Sequence, residues 1–466
     1  MLEGLEISEV KFSEMLSMSR FDSEYFRPLF IKLQKRLEIL PHTTLGAKSC
    51  FVAGPFGSEF HVENYEEQSG FRYIRGKDVK SFFVENGDNV YIPENDYTRL
   101  SEHSVKADDV LISVVGTLGN ACIATSDDLP AIFSCKSTII RKPEVNPYYL
   151  VSFLNSAPGK TLLLRNARGT VQLGLNLPDL RQLLIPLFSK NFQVVTEATI
   201  RKAQTCLRDS KSAFAQAEQT LLRALGLESW QPPEPLTYTR RASDAFTAGR
   251  LDADYFAPRV AELLHKLEEP GLTIGAVAPT RHERFVPNKV EEFSYIEIGD
   301  IQGDGTASNS RLSSSEAPSR ATQHVRAGDV LTSTVRPIRR LSAVVTLEQD
   351  GFVCSSGFVV LHPQAVPAEV LLTYLRLPPI CELMDLHTSA SLYPAISETD
   401  LLALPFHPVT TSAEKEIVHA VQSAHTTRRQ AHALLDAAKR AVEIAIEHNE
   451  QAALEYLAAF EREASP

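Results

Sequence analysis

Ser19-Arg20-Phe21-Asp22-Ser23-Glu24-Tyr25-Phe26-Arg27-Pro28 is answered 230 residues later by Gly249-Arg250-Leu251-Asp252-Ala253-Asp254-Tyr255-Phe256-Ala257-Pro258. The correspondence continues downstream. Tyr73-Ile74 with Asp78 pairs with Tyr295-Ile296 with Asp300, and Val105-Lys106-Ala107-Asp108-Asp109-Val110-Leu111-Ile112-Ser113 pairs with Val325-Arg326-Ala327-Gly328-Asp329-Val330-Leu331-Thr332-Ser333. The offset drifts only from 230 to 220 residues, so the chain holds two copies of one domain with small loop insertions. A period this long excludes a solenoid, whose repeats run to roughly 20–50 residues. The chain is a tandem pair, an arrangement suited to reading two things.

Composition sets the outer limits. With 466 residues, 43% of them hydrophobic, each copy can bury a full core. No apolar run approaches the ~20 residues that span a bilayer, and Met1-Leu2-Glu3 opens no signal peptide; the expectation is a soluble, cytoplasmic protein with no membrane partner. Cysteines 50, 122, 135, 206, 354 and 381 form no C-x-x-C pair and no zinc-like spacing with histidine, and read as buried thiols in a reducing compartment. The formal net charge is -11, and all of it falls in residues 227–466, because residues 1–226 hold 26 basic and 26 acidic side chains. A surface that binds nucleic acid must therefore be a local patch and not a global field.

Each copy has the same internal order. It opens with an amphipathic helix, in which Phe26, Leu29, Phe30, Leu33, Leu37 and Leu40 recur at helical spacing, matched by Phe256, Val260, Leu263, Leu264 and Leu267. Short β-branched runs follow, among them Val110–Val115 and Ser137–Ile140, separated by turn residues. A segment beginning at Pro147 and another at Pro367 each start a helix, where the missing N–H of proline costs nothing. Each copy then passes into a helix free of proline and glycine, with Val195, Ile200, Ala203, Leu207, Phe214, Ala217, Leu221 and Leu222 on one stripe and Ile417, Val421, Ala424, Ala431, Leu434, Ala438, Val442 and Ile446 on the other. The shorter is roughly 50 Å long at 1.5 Å per residue. A lone helix would leave such a stripe wet, so the two are expected to pack as a coiled-coil-like pair.

The fold class expected is α+β: two pseudo-repeated mixed α/β domains separated by a pair of long antiparallel helices. The boundaries read as a first domain at 1–190, a first long helix at 191–228, a proline-rich linker at 229–235, a second domain at 236–410 and a second long helix at 411–461.

Gly54-Pro55-Phe56-Gly57-Ser58, then Tyr65 and Phe71-Arg72-Tyr73-Ile74-Arg75-Gly76-Lys77-Asp78-Val79, resembles the start of a target-recognition domain in type I restriction-modification specificity subunits. So does Asp109-Val110-Leu111-Ile112-Ser113-Val114-Val115-Gly116-Thr117-Leu118-Gly119-Asn120, and so does Gly169-Thr170-Val171-Gln172 shortly before Leu177-Pro178-Asp179-Leu180. In the second copy Ser333-Thr334-Val335-Arg336-Pro337 and Ile396-Ser397-Glu398 through Leu404-Pro405 resemble the same family in another variant. The ordered set covers essentially the whole chain and occurs twice. The resemblance implies a caliper: each domain reads one half of a split, asymmetric site on double-stranded DNA, and antiparallel helices set the unread spacer. It also implies two DNA adenine methyltransferase subunits docked on the helices, with nuclease-translocase subunits bound through them. S-adenosylmethionine, ATP and Mg would be cofactors of those partners, with none in this chain.

The copies diverge where a reader should. Gly116-Thr117-Leu118-Gly119-Asn120 stands opposite Arg336-Pro337-Ile338-Arg339-Arg340, and Lys136 opposite Ser356. Arginine pairs bidentately with guanine O6 and N7 and clamps phosphate, which makes Arg336, Arg339 and Arg340 the candidates in the second copy. In the first copy they are Ser58, Arg75, Lys77, Lys136, Arg168 and Gln172, the last because an amide can read adenine N6 and N7. Blander readings stand beside these: the arginines as a cluster pairing with local carboxylates, Gly54, Gly57, Gly116 and Gly119 as turn residues with positive φ, Pro55 and Phe56 as core, and the Arg20-Asp22 and Arg250-Asp252 pairs as structural salt bridges at a helix entrance.

Asn146-Pro147-Tyr148-Tyr149 resembles the Asn-Pro-Pro-Tyr tetrad with which adenine methyltransferases hold a flipped base. No glycine-rich loop stands upstream to bind a methyl donor, however, and there is no Walker loop, G-x-S-x-G elbow or H-E-x-x-H. The chain reads as a non-catalytic subunit. Two alternatives are a specificity subunit of another methylation-based phage-defence system and a non-DNA scaffold of two interaction domains, the latter supported by the acidic balance.

Overall fold

The computed structural model describes all residues except 1–5, 19, 56, 67–68, 170, 233, 269–270, 288–289, 390–391 and 464–466. It divides into two compact units. One comprises residues 1–206 and 430–466, the other residues 207–429.

In the first unit a five-stranded sheet has the order Cys50–Ala53, Ser137–Arg141, Val110–Ser113, Ala121–Ile123, Phe82–Phe83. A three-stranded sheet, in which Arg72–Ile74 lies between Val90–Tyr91 and Ala131–Phe133, completes the domain. The β-branched run read at 110–115 is the central strand, buried at Val110, Leu111 and Ile112 because it is covered on both faces. In the second unit Val330–Ser333 is again central, between Ser342–Val344 and Phe358–Leu361. Glu292–Ile296 pairs in parallel with Val353–Ser355, as Arg72–Ile74 does with Ala131–Phe133. Both domains are thus mixed α/β and built on one plan.

Strand register corrects the sequence alignment by one residue. Val110 faces Ile123 and Ile140, and Val330 faces Val344 and Leu361, so the offset is 220 on the central strand and 221 on its neighbours. Ser113 N–H donates to Asn120 O and Ser333 N–H to Leu341 O, which places one extra residue inside the loop that follows the central strand. The partner of Lys136 is consequently Gly357 and not Ser356: Lys136 O accepts from Val114 N–H, and Gly357 O accepts from Thr334 N–H. Asn146, the N-cap of Pro147–Asn155, corresponds to Pro367, the N-cap of Ala368–Arg376.

The two long helices are Lys190–Ala224 and Thr411–Glu447. Within the second unit they run antiparallel, since Ser210 Oγ donates to Ala424 O at 2.7 Å and Thr220 Oγ1 to Glu416 at 2.9 Å. Phe214, Ala217 and Leu221 share one core with Ile417, Val421 and Ala424. Within the first unit Ile200 and Ala203 are buried, as are Ala431, Leu434, Ala438, Val442 and Ile446. The second helix does not continue to 461 unbroken. It stops at Glu447, and Asn449 starts a separate helix, Glu450–Glu463, by accepting from Ala452 N–H at 2.9 Å.

Two smaller expectations change. Cys50 and Cys135 are exposed, while the other four cysteines are buried; Cys50 opens an edge strand and Cys135 lies in a loop, so neither has a layer above it. Asn146-Pro147-Tyr148-Tyr149 is a helix start, in which Asn146 Oδ1 accepts from Tyr148 and Tyr149 N–H and the Tyr149 hydroxyl, fully buried, donates to Pro186 O at 2.9 Å. Among the described residues no helix is long and apolar enough to cross a membrane.

Candidate nucleic-acid interface

The repeated opening motif is structural. Arg20 pairs with Asp22 through two hydrogen bonds of 2.7 and 3.0 Å, Asp22 caps Tyr25 N–H at 3.0 Å, and the guanidinium groups of Arg20 and Arg165 lie 4.5 and 4.0 Å from the centre of the Tyr25 ring. The Arg20 side chain holds the Asp22 carboxyl below its ordinary pKa. In the second unit Arg250 pairs with Asp252 at 2.8 and 2.7 Å and lies over Tyr255 at 4.4 Å. Each motif thereby seats its chain entrance on its own domain.

In the first unit, backbone hydrogen bonds stitch together loops that are far apart in sequence. Lys136 O accepts from both Val114 and Val115 N–H, Val114 O accepts from Leu175 N–H, and Ile74 O accepts from Ser134 N–H. A Cβ on Gly54 would stand 2.4 Å from the Ser134 carbonyl carbon, so this glycine is required by close approach and not by a positive φ. The loops around Gly54, Arg75, Gly116, Lys136 and Leu175 are therefore one assembly. The hairpin Ala167–Arg168 with Gly174–Leu175 projects from it, bridged to the central-strand loop at Val115 and Gly174.

The second unit repeats this assembly. Thr334 O accepts from Ile396 N–H, and Val335 bridges Ala395 in the hairpin Thr388–Ser389 with Ala395–Ile396. The two hairpins correspond at an offset of 221.

Charge distinguishes these loops from the remainder of the chain. The chain has 58 acidic residues in 466, yet segments 49–58, 68–77, 110–126, 129–143 and 145–178 of the first copy contain none. The corresponding 330–347, 351–368 and 386–397 of the second copy contain none either. Carboxylates are thus absent from the central-strand loop, the turn after it and the hairpin in both copies, whereas the second copy's counterparts of the Gly54 and Arg75 loops carry Glu283, Glu291, Glu292, Glu297 and Asp300.

The candidate residues separate by what they touch. Arg75 is bound in a bidentate pair to Asp78 at 2.9 and 3.0 Å and also reaches Asp88, while Lys77 pairs with Asp88 at 2.7 Å. Arg168 is clamped to Asp179, with Nη2 at 2.9 Å, which fixes the base of the hairpin. Lys136 is exposed and its stem packs on Gly76, and Ser58 and Gln172 are exposed. Phe56 and Thr170 lie outside the described residues. In the second unit Arg339 is exposed, and Arg336 donates to Leu392 O at 3.3 Å with its guanidinium 5.4 Å from the Tyr393 ring.

Arg340 turns inward. Its guanidinium meets Glu218 on the long helix and donates to Arg376 O, beside Arg376, which is only 4% exposed. Arg376 donates to the carbonyls of Arg340, Ser342 and Gly303, and burial, with Arg340 adding to it, pushes its pKa down to about 10. This cluster fastens the domain to its helix, and Arg340, 33% of its side chain still exposed, is paired with Glu218 and not left unpartnered in the loop.

Sequence reading missed the hairpin tip of the second copy. Leu392 and Tyr393 are 79% and 69% exposed, as Val171 and Leu173 are 100% and 53% exposed in the first. The offset of 221 puts Tyr393 at the position of Gln172, so the repeat itself carried the signal. Among the described residues no group of three or more His, Cys, Asp or Glu side chains could hold a metal ion.

No family model matches the chain, and no curated protein matches it. Solved structures similar to it include the S subunit of a type I restriction-modification system from M. genitalium, at 14% identity over 89% of this chain and 95% of that chain, TM-score 0.39. A chain from a study of complex assembly and conformational transition of the type I R-M system is 20% identical over 90% of this chain and 98% of that one, TM-score 0.27. The HsdS subunit from Thermoanaerobacter tengcongensis is 18% identical over 89% and 95%, TM-score 0.26. Superpositions this loose assign no role to any residue of this chain.

Proposed function

We propose that this chain is the DNA sequence-recognition subunit of a type I restriction-modification complex. Each repeat reads one half of a bipartite, asymmetric site, and the long helices set the spacer and dock two adenine methyltransferase subunits. Nuclease-translocase subunits join through those, and S-adenosylmethionine, ATP and Mg belong to the partners. The observation that carries this reading is the joining of central-strand loop, turn and hairpin, present once in each unit with the same backbone hydrogen bonds, without carboxylates and with different side chains. Same frame and different contacts is what a split, asymmetric target requires.

Modified-base sequencing of DNA from cells expressing the chain with and without its methyltransferase tests this. The expected result is a split motif that is methylated only when both are present. Duplex affinity of the assembled complex should fall with salt at a slope near roughly -0.9 per neutralised phosphate. An active methyltransferase whose methylation ignores this chain, with duplex binding insensitive to salt, would favour the scaffold reading, which the acidic second half supports. Co-purification without any nuclease would place the chain in another methylation-based defence system.

A further inference from the structure

The hairpins Ala167–Arg168 with Gly174–Leu175 and Thr388–Ser389 with Ala395–Ile396 are no part of the larger sheets, and beyond their paired strands Val171 and Leu173, and Leu392 and Tyr393, are exposed to solvent. Neighbouring exposed apolar side chains at the end of a ribbon suit a contact surface. The ribbons lie in carboxylate-free segments, 145–178 and 386–397, and join loops that carry exposed Lys136 in one unit and Arg339 in the other, so charge favours an anionic occupant. Their bases are fixed: Arg168 is bound to Asp179, and both ribbons are bridged to the central-strand loop. Width decides the groove. A two-stranded ribbon fits the B-DNA major groove, roughly 12 Å wide, but not the minor groove of roughly 6 Å.

We infer that each ribbon enters the major groove of double-stranded DNA tip first, with Gln172 and Tyr393, which share one register position, meeting base edges in the two half-sites. The inference rests on the DNA-recognition reading and adds the contacting element and its chemistry. Gln172 offers one amide acceptor and one donor, the pattern complementary to adenine N7 and N6. Tyr393, backed by the Arg336 guanidinium and flanked by Leu392, offers an apolar face that suits the thymine methyl. The same ribbon therefore reads an A·T pair through adenine in one half and through thymine in the other.

The test uses the full chain with its methyltransferase. Once the wild-type motif is known, Gln172→Ala should make one adenine position degenerate in a single half-site, with a loss of roughly 10- to 100-fold for the cognate base. Tyr393→Ala should do the same at one A·T pair of the other half. Replacing that thymine by deoxyuridine removes only the methyl group; it should weaken the wild type and leave Tyr393→Ala unchanged. Both side chains face solvent, and unchanged melting would verify that the variants fold. Retention of the full motif and affinity by both variants would overturn the inference while leaving the subunit reading intact. Loss of methyltransferase co-purification at unchanged duplex affinity would overturn it too, in favour of a protein contact. A wild-type complex that shows no motif at all defeats the subunit reading itself, and the inference with it.

Discussion

The loop after the central strand is built on glycine in the first unit and on arginine in the second, at the same backbone positions. Gly116 and Gly119 have φ of 88° and 74°; with the one-residue insertion they correspond to Arg336 and Arg340, at 51° and 61°. A left-handed conformation costs a non-glycine residue roughly 1–2 kcal/mol, so the second unit retains strain that the first avoids. The two arginines put it to different uses. Arg336 faces outward beneath Tyr393, and Arg340 turns inward to Glu218. One backbone frame can thus be kept while one position is given to the surface and the other to the interior.

The largest effect should come from the interior. Arg376 corresponds to Asn155, and both donate to equivalent carbonyls, Ser342 O and Ala121 O. Arg376→Ala leaves Ser342 O and Gly303 O without this donor, while Arg340 O keeps Ser342 N–H, and should cost the second unit on the order of 3–5 kcal/mol, whereas Asn155→Ala should cost about 1–2 kcal/mol in the first. Hydrogen exchange resolved by peptide would separate the two units. Equal losses would show that the buried cation adds nothing to the frame.

Arg340→Gly relieves backbone strain but abandons Glu218, whose carboxyl burial already holds above its ordinary pKa despite Arg340; a net loss of roughly 2 kcal/mol is expected in denaturant melts. Arg336→Gly should be nearly neutral, within about 1 kcal/mol, because strain relief offsets the lost stacking and the added chain entropy. It should weaken duplex binding by about tenfold. If both substitutions behaved alike in the two assays, the division between outward and inward arginine would fail.

The smallest effect concerns pH. His387 and Asn166 occupy equivalent C-cap positions, and burial, reinforced by Arg250, holds the His387 pKa below its ordinary value of 6.5. The unfolded chain then binds the proton more readily, so this group's contribution is intact above about pH 6.5 and is lost as pH falls below it. His387→Asn should flatten the acid side of the stability curve for the second unit alone. An unchanged profile would mean that burial does not hold the imidazole's pKa down.

Much of this was legible in advance. Helix stripes such as Ile417, Val421 and Ala424 follow from a period of 3.6, and the strand at 110–113 from a β-branched run between turns, since burial imposes those patterns locally. The paired loops were legible as well, because Gly116 and Arg336 align by counting. Lys136 and Gly357 did not, because an insertion within a loop leaves no trace in hydrophobic period.

By itself the sequence determined that there are two domains of one plan, each followed by a long helix, and that their variable loops differ. Only the tertiary structure decided that carboxylate-free segments far apart in the chain meet, that Arg340 is tied to Glu218 on the long helix and that Tyr393 stands where Gln172 does. The reason is physical: repetition and burial are written as periods along the chain. The direction of a loop side chain, by contrast, depends on φ, on a single inserted residue and on which carbonyl or carboxylate comes within about 3 Å once the chain has folded.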